Sequence, residues 1–322
     1  MQKTVFYRRL FWLIIPILLP LIFTGAYVRH LLVLTLIYGI LALSLDIIIG
    51  HMGQFSLGHQ VFFGIGAYTT AILTTKYSMP VWIGFFSSIF FSAVCGLLIG
   101  VVSLRRARGV YLAIITLGLG KIGWLVAMKW VALTGGNRGV REIPHIAFNI
   151  PYTGPVSFDS EISYYYFSLG LLFLVTYIIF IWTQSRSGRA ISAIRNNEEL
   201  SSSIGIYPYK YYVWTFTFAC SLAGLAGAAY AHYMVEVSPV TMSMHYMFWV
   251  LVMVLVGGMR TYLGPVLGAV MFVFLPEWLS ATQELRMVII GLIVLLVTLF
   301  MPQGIVPSVS EIFMRLGKKL SQ

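Results

Sequence analysis

The sequence predicts an all-α integral membrane protein: a polytopic bundle of about ten transmembrane helices, some discontinuous, with one short helix outside the lipid. Three observations carry this. Apolar runs long enough to cross a bilayer recur along all 322 residues, 59% of which are hydrophobic. Only 10% are charged, against about 25% in soluble domains, so little of the chain faces water. The cations also fall mostly on one side of the expected spans.

Taken in order, the apolar segments lie near 10 to 28, 31 to 50, 59 to 75, 80 to 104, 110 to 133, 164 to 183, 212 to 234, 246 to 257, 264 to 280 and 285 to 301. The first follows Lys3, Arg8 and Arg9 as a signal peptide would. It lacks a small-x-small cleavage site and further spans follow, so it reads as a retained anchor. Residues 59 to 75 are rich in Gly, Thr and Tyr, and the run from 246 to 280 is interrupted by "GGMRTYLGP"; either can hold a re-entrant or broken helix.

With both termini cytoplasmic, the inner loops collect Lys3, Arg8, Arg9, Arg105, Arg106, Arg108, Arg186, Arg189, Arg195, Lys210, Arg260, Arg315, Lys318 and Lys319. The outer side receives Arg29, Lys76, Lys129, Arg138, Arg141 and Arg286, and Lys121 lies within a span. This asymmetry accounts for the net charge of +11 as a topology signal, so no nucleic-acid partner is needed. The chain is thus one transmembrane domain, residues 1 to 322, with its largest outer loop at 134 to 163 and a cytoplasmic loop at 184 to 211.

Glycines gather around two segments: Gly58, Gly64 and Gly66 in "LGHQVFFGIGAY", and Gly257, Gly258, Gly264 and Gly268 in "VGGMRTYLGPVLGAV". Small residues let helices approach closely in lipid. Irregular backbone at membrane depth survives only inside protein or beside a cavity, so these segments are also candidates for lining a path.

Catalytic chemistry finds no pattern. A phosphate-binding loop around "LGLGK" needs a glycine where Ile115 stands and a Ser or Thr where Ile122 stands. The six histidines make no metal-ligand spacing with carboxylates, Cys95 and Cys220 sit in apolar runs, and neither a metal nor a cofactor is expected. Asp46 and Lys121 are ionisable residues within spans, and hence functional candidates. Counted from the inner ends of their spans, they lie about 6 and about 16 Å deep, which disfavours a direct pair. Asp46 is expected in the inner headgroup region, and Lys121 facing a wet cavity or a partner chain.

The cytoplasmic stretch "SRSGRAISAIRNNEELSSSIGI" is a polar island in this apolar chain. It opens at Ser187-Gly188, places Ala190, Ile191, Ala193 and Ile194 at helical spacing and stops at Gly205 with Pro208 beyond, which predicts one short amphipathic helix. The helix either lies on the lipid surface or docks a soluble subunit.

Several motifs together resemble the permease subunits of ATP-binding-cassette importers for branched-chain amino acids: "GQFSLGHQVFFGIGAY" (53 to 68), "RGVYLAIITLGLG" (108 to 120), "TGGNRGV" (134 to 140), "SGRAISAIRNNEELSSSIGI" (187 to 206), "AGLAGAAYAHY" (223 to 233) and "LVGGMRTYLGPVLGA" (255 to 269). The likeness spans residues 31 to 307. It implies a non-enzymatic, multi-pass permease of a bacterial or archaeal cytoplasmic membrane. A second homologous permease, two cytoplasmic ATP-binding subunits and an extracytoplasmic solute-binding protein would be its partners. Gly188, Arg189, Ala190, Ile191, Ile194, Arg195 and Glu198 would then couple to the ATPase, with Ile191 and Ile194 filling its groove and Glu199 at the rim. Gly58, Gly64, Gly66, Lys121, Gly257 and Gly258 would line the path, and Thr134, Gly135, Gly136 and Asn137 would meet arriving solute. The family commonly carries Asn at position 46 and an acidic residue at position 121, so Asp46 and Lys121 depart from it. A permease for urea or short amides is the alternative within the family, and an ion-coupled transporter working through Asp46 and Lys121 the alternative outside it.

Overall fold

The computed structural model describes residues 16–23, 25–150, 154–158, 160–279, 286–301, 303–309 and 311. Its helices are α1 (Ala26–Asp46), α2 (Gln60–Thr75), α3 (Val81–Ser103), α4 (Val110–Lys129), the short α5 (Val131–Thr134), α6 (Glu161–Gln184), α7 (Arg186–Asn196), α8 (Glu198–Ser203), α9 (Pro208–Met234), α10 (Met244–Gly257), α11 (Gly264–Trp278) and α12 (Arg286–Phe300). Nine of the ten apolar segments coincide with helices; of the first, 10 to 28, residues 10 to 15 and 24 lie outside the described residues, and 16 to 22 are helical. Five are long and apolar enough to cross a membrane: Ala26–His51, Val81–Ser103, Val110–Lys129, Glu161–Gln184 and Pro208–Met234. The 16 residues of α2 extend about 24 Å, short of a hydrocarbon core about 30 Å thick.

Helices α1 and α9 form the buried centre, while α3, α4 and α6 keep most of their surface at the periphery. The centre is held by small residues. On α3 the buried positions Gly84, Ser88, Ser92, Gly96 and Gly100 recur every fourth residue, making one stripe along the helix. Ser92 donates to the Phe62 carbonyl at 3.0 Å and Ser88 to the Gly66 carbonyl at 2.7 Å, so the stripe also satisfies its hydroxyls. Ala219, Ala223, Ala226 and Ala228 on α9 are also fully buried. Without a hydrophobic drive between helices in lipid, such close approach and its hydrogen bonds supply the packing energy.

Two features correct the expected all-α plan. Residues Ala147–Ile150 (β1) and Gly154–Ser157 (β2) form an antiparallel ribbon, and Val140–Arg141 pairs antiparallel with Glu236–Val237. The outer loop is thereby stitched to the end of α9. The second feature concerns 59 to 75, a candidate for a re-entrant or broken helix. Here α2 is a continuous helix, and the irregular backbone precedes it. Helix α1 widens into a π-helical turn, Ile47–His51, and residues 52 to 59 then run on without regular structure, with Met52, Ser56 and His59 wholly buried and Phe55 exposed. Several of their polar groups find partners on neighbouring elements: Leu57 N donates to Thr116 Oγ1 at 2.9 Å, Gln54 Oε1 accepts from Gly109 N at 2.7 Å, and His59 Nε2 meets Ser44 Oγ of α1 at 2.8 Å. The other candidate break is present: α10 ends at Gly257 and α11 begins at Gly264.

Candidate functional site

The loop from 184 to 211 holds not one helix but two. Ser185 caps α7 by accepting Gly188 N at 3.2 Å. The extended backbone of Asn197 ends α7, and the Asn197 side chain caps α8 by accepting Leu200 N at 2.9 Å. An Asn at the junction thus resets the chain direction, which a purely periodic reading passes over.

The apolar side of α7 faces inward, against expectation. Ala190, Ile191 and Ile194 are buried in the chain's own core, Ile191 completely, so neither isoleucine is free to enter another subunit's groove. Amphipathicity shows that a face is covered but not by what, and here the neighbouring helices α6 and α9 cover it. Gly188 is forced: a Cβ there would collide with the carbonyl of Trp182. Arg189 is exposed and donates to the Gln184 carbonyl. Glu198 pairs with Arg108 and accepts from Tyr212 Oη at 3.3 Å, tying the start of α8 to the α3–α4 turn. What the loop offers to solvent is Leu200, Ile204 and Tyr207, 62, 70 and 78% exposed, flanked by exposed Arg186, Arg189, Glu199 and Lys210. Sequence reasoning did not single out these three exposed residues, because Ser and Gly lie between them.

A second cluster joins this loop to the membrane bundle. Asp46 is 2% exposed, and its carboxylate accepts Arg260 N through both oxygens at 3.0 and 3.2 Å. Arg260 Nη2 reaches Ser192 Oγ on α7 at 3.4 Å, and Arg195 donates to the Gly50 carbonyl in the π-helical turn. Burial, with the Arg260 charge nearby, lowers the Arg195 pKa from its usual value, while the Asp46 charge opposes that shift. Asp46 is therefore fixed at the end of α1 by the turn that precedes α11.

The Gly-rich segments sit at helix contacts. A Cβ at Gly58 would strike the Thr116 carbonyl, at Gly64 the Met242 side chain and at Gly66 the Gly224 backbone; Gly257 abuts Gly264, and Gly258, with φ +117°, packs on Pro307. Lys121 lies exposed on α4 with Nζ 3.7 Å from the centre of the Trp124 ring. In the loop that follows α5, Gly135, Gly136 and Gly139 all have positive φ. Thr134 is buried, donating to Ala127 O at 2.7 Å, and Asn137 is exposed. Among the described residues no group of three His, Cys, Asp or Glu could hold a metal ion.

This arrangement of a small-residue bundle, a helix broken at Gly257 to Gly264 and a clamped cytoplasmic helix pair can be compared with known proteins. The family described as the permease component of branched-chain amino acid transport systems matches residues 27–298. The chain belongs to this family. Its relatives include the high-affinity branched-chain amino acid transport system permease protein LivM of Salmonella typhimurium and that of Escherichia coli, each 32% identical over 292 residues, 85% of this chain and 68% of the relative. No solved structure matches. The family is one of transport permeases, and the matched region of this permease includes every cluster described above.

Proposed function

We propose that this chain is the membrane permease subunit of an ATP-driven importer for branched-chain amino acids, paired with a second homologous permease, served by two cytoplasmic ATP-binding subunits and fed by an extracytoplasmic binding protein. It would lie in a bacterial or archaeal cytoplasmic membrane with both termini inside. The observation that carries the coupling is the exposed apolar edge Leu200, Ile204 and Tyr207, at and just beyond the end of a helix pair whose other face is anchored in the bundle. Exposed apolar residues within a charged rim are the usual anatomy of a docking surface. Motion imposed on α8 would pass through the Arg108–Glu198 pair and through Arg195 and Arg260 to the ends of α1, α10 and α11.

The partner permease would cover α4. Its residues Tyr111, Ile114, Gly118, Lys121, Ile122 and Leu125 form an exposed face. A lysine near the middle of a lipid-facing helix costs about 2.5 to 3.5 kcal/mol, so protein or a wet path is the better neighbour there. The ion-coupled alternative needs Asp46 available to an ion, and Arg260 N already occupies its carboxylate.

The test is uptake by vesicles reconstituted with the chain, its partner permease, the ATPases and the binding protein. Leucine, isoleucine or valine uptake that requires ATP supports the reading. Uptake driven by an ion gradient without the ATPases, or uptake of urea or short amides alone, overturns it.

A further inference from the structure

At the end of the bundle opposite Asp46, helices α1, α10 and α11 enclose a cavity of about 270 Å³ that the coupling machinery does not use. Three of its walls are aromatic: Tyr38, Tyr246 and Trp249. They are held in place by their own contacts. Trp249 packs edge-on to Phe272 with ring centres 5.7 Å apart, and Tyr38 Oη lies 3.3 Å from Tyr246 Oη. Among the described residues, Glu277, on the otherwise apolar α11, is the cavity's one acidic lining residue and makes no hydrogen bond or ion pair. His245 also lines the cavity, but its Nε2 accepts the Trp249 indole N–H at 2.6 Å, so this nitrogen holds no proton in that arrangement.

A carboxylate that shares a cavity with three aromatic side chains is selective in sign and in shape. The ring quadrupoles present negative faces, which attract a cation and do nothing for an anion. An uncompensated carboxylate in an apolar helix adds to that attraction, because a partner cation removes part of its burial cost. The volume admits a few heavy atoms beyond the cationic head, and Leu31, Leu34 and Val250 give them an aliphatic floor.

We infer that this cavity between α1, α10 and α11 binds a primary ammonium group carrying a short aliphatic chain, held by Glu277 and the faces of Tyr38, Tyr246 and Trp249. Two sources offer that chemistry: a free amino acid or amine, and the ethanolamine headgroup of a phospholipid. The inference does not depend on what the permease transports.

The experiment titrates the full chain, purified with the subunits that accompany it, in nanodiscs made of phosphatidylglycerol alone. The probes are 3-methylbutylammonium and its neutral counterpart 3-methylbutan-1-ol, followed calorimetrically. The amine should bind saturably and at least about tenfold more tightly than the alcohol, and Glu277→Gln should remove that preference while leaving alcohol binding unchanged. Competition by L-leucine assigns the site to free solute, whereas weakened amine binding after phosphatidylethanolamine replaces part of the lipid assigns it to a headgroup. If Glu277→Gln fails to assemble, Trp249→Leu serves, with a larger loss for the amine than for the alcohol. Equal binding of amine and alcohol by the unaltered protein, or an amine preference that survives Glu277→Gln, overturns the inference; with Trp249→Leu, equal losses for both probes do so.

Discussion

Asp46 and Arg260 lie 214 positions apart, yet the buried carboxylate of one accepts the backbone N–H of the other through both oxygens. The bond closes the end of α1 onto the break between α10 and α11, and Arg260 adopts φ +60°, a left-handed conformation costly for a residue with a side chain. The surrounding contacts must hold it there, and the Asp46 carboxylate is the direct one. From the same residue the guanidinium extends to Ser192 on α7. One short turn therefore touches the core helix, the broken helix pair and the cytoplasmic helix.

Removing the acceptor should loosen all three. Asp46→Ala leaves Arg260 N without its partner in a buried place, a loss of about 1 to 3 kcal/mol. Asp46→Asn keeps one carbonyl acceptor and should lose less. Thermal unfolding of the purified permease complex, read by loss of the soluble oligomer, orders the variants as unaltered, then Asn, then Ala. An Ala variant as stable as the unaltered chain would show that Arg260 N finds another acceptor.

The two faces of the cytoplasmic helix pair should fail differently when altered. Ile191 is fully buried in the chain's own core, so Ile191→Asp places a charge there and should cut the amount of folded permease in the membrane. Leu200→Asp and Ile204→Asp alter exposed positions; they should leave membrane levels normal but reduce ATPase co-purification and solute-stimulated ATP hydrolysis. Truncating a central docking residue typically costs 2 kcal/mol or more, roughly 30-fold in affinity, whereas Arg189→Ala at the rim should cost less than about 1 kcal/mol. Normal hydrolysis in both Leu200→Asp and Ile204→Asp would remove α8 from the ATPase contact.

This inversion of faces shows where the sequence stops being informative. Hydropathy located nine helices because a span must be apolar whatever it packs against, and the glycine-bounded break at 257 to 264 was visible for the same chemical reason. The burial of Ile191 and Ile194 was not visible, since a cytoplasmic helix can turn its apolar side to lipid, to another subunit or, as here, back onto its own bundle. The capped junction at Asn197 was legible in principle, because an Asn followed by two Glu and then Leu200 is a helix start. The stripe of Gly84, Ser88, Ser92, Gly96 and Gly100 was legible too, at a strict spacing of four. The course of residues 52 to 59 was not, because its partners Thr116 and Gly109 lie on elements about 55 to 60 positions away.

The glycines of α2 supply a third test. Gly66 lies against the Gly224 backbone, with no side chain between the helices that could move aside, while Gly64 faces the flexible Met242 side chain. Gly66→Leu should therefore prevent assembly, and Gly66→Ala should already lower stability by about 1 to 3 kcal/mol through overpacking. Gly64→Ala should be milder because Met242 can change rotamer. Quantitative immunoblotting of membranes, followed by thermal unfolding of what assembles, checks the order. Equal behaviour of Gly66→Ala and Gly64→Ala would show that α2 and α9 can part without loss.

Lys121 offers the sharpest view of the path. It is exposed on α4, twelfth of twenty residues, and its ammonium group rests on the Trp124 ring, so its charge is neither neutralised by a carboxylate nor removed to the helix end. Facing bare lipid, that charge would be a liability, and Lys121→Met would simply stabilise the chain. Facing a wet path between two permeases, the charge instead sets the local potential that a zwitterionic solute crosses, so Lys121→Met should change uptake rate or solute selectivity with the permease pair intact. Trp124→Leu should shift the same properties in the same direction but less, because it frees the ammonium group without deleting it; cation–π contacts of this kind contribute about 0.5 to 2 kcal/mol. Uptake kinetics in reconstituted vesicles, measured beside the ratio of the two permeases after purification, distinguish the cases. Loss of the partner with Lys121→Met would make the residue an interface anchor, and native kinetics with native assembly would place α4 against lipid.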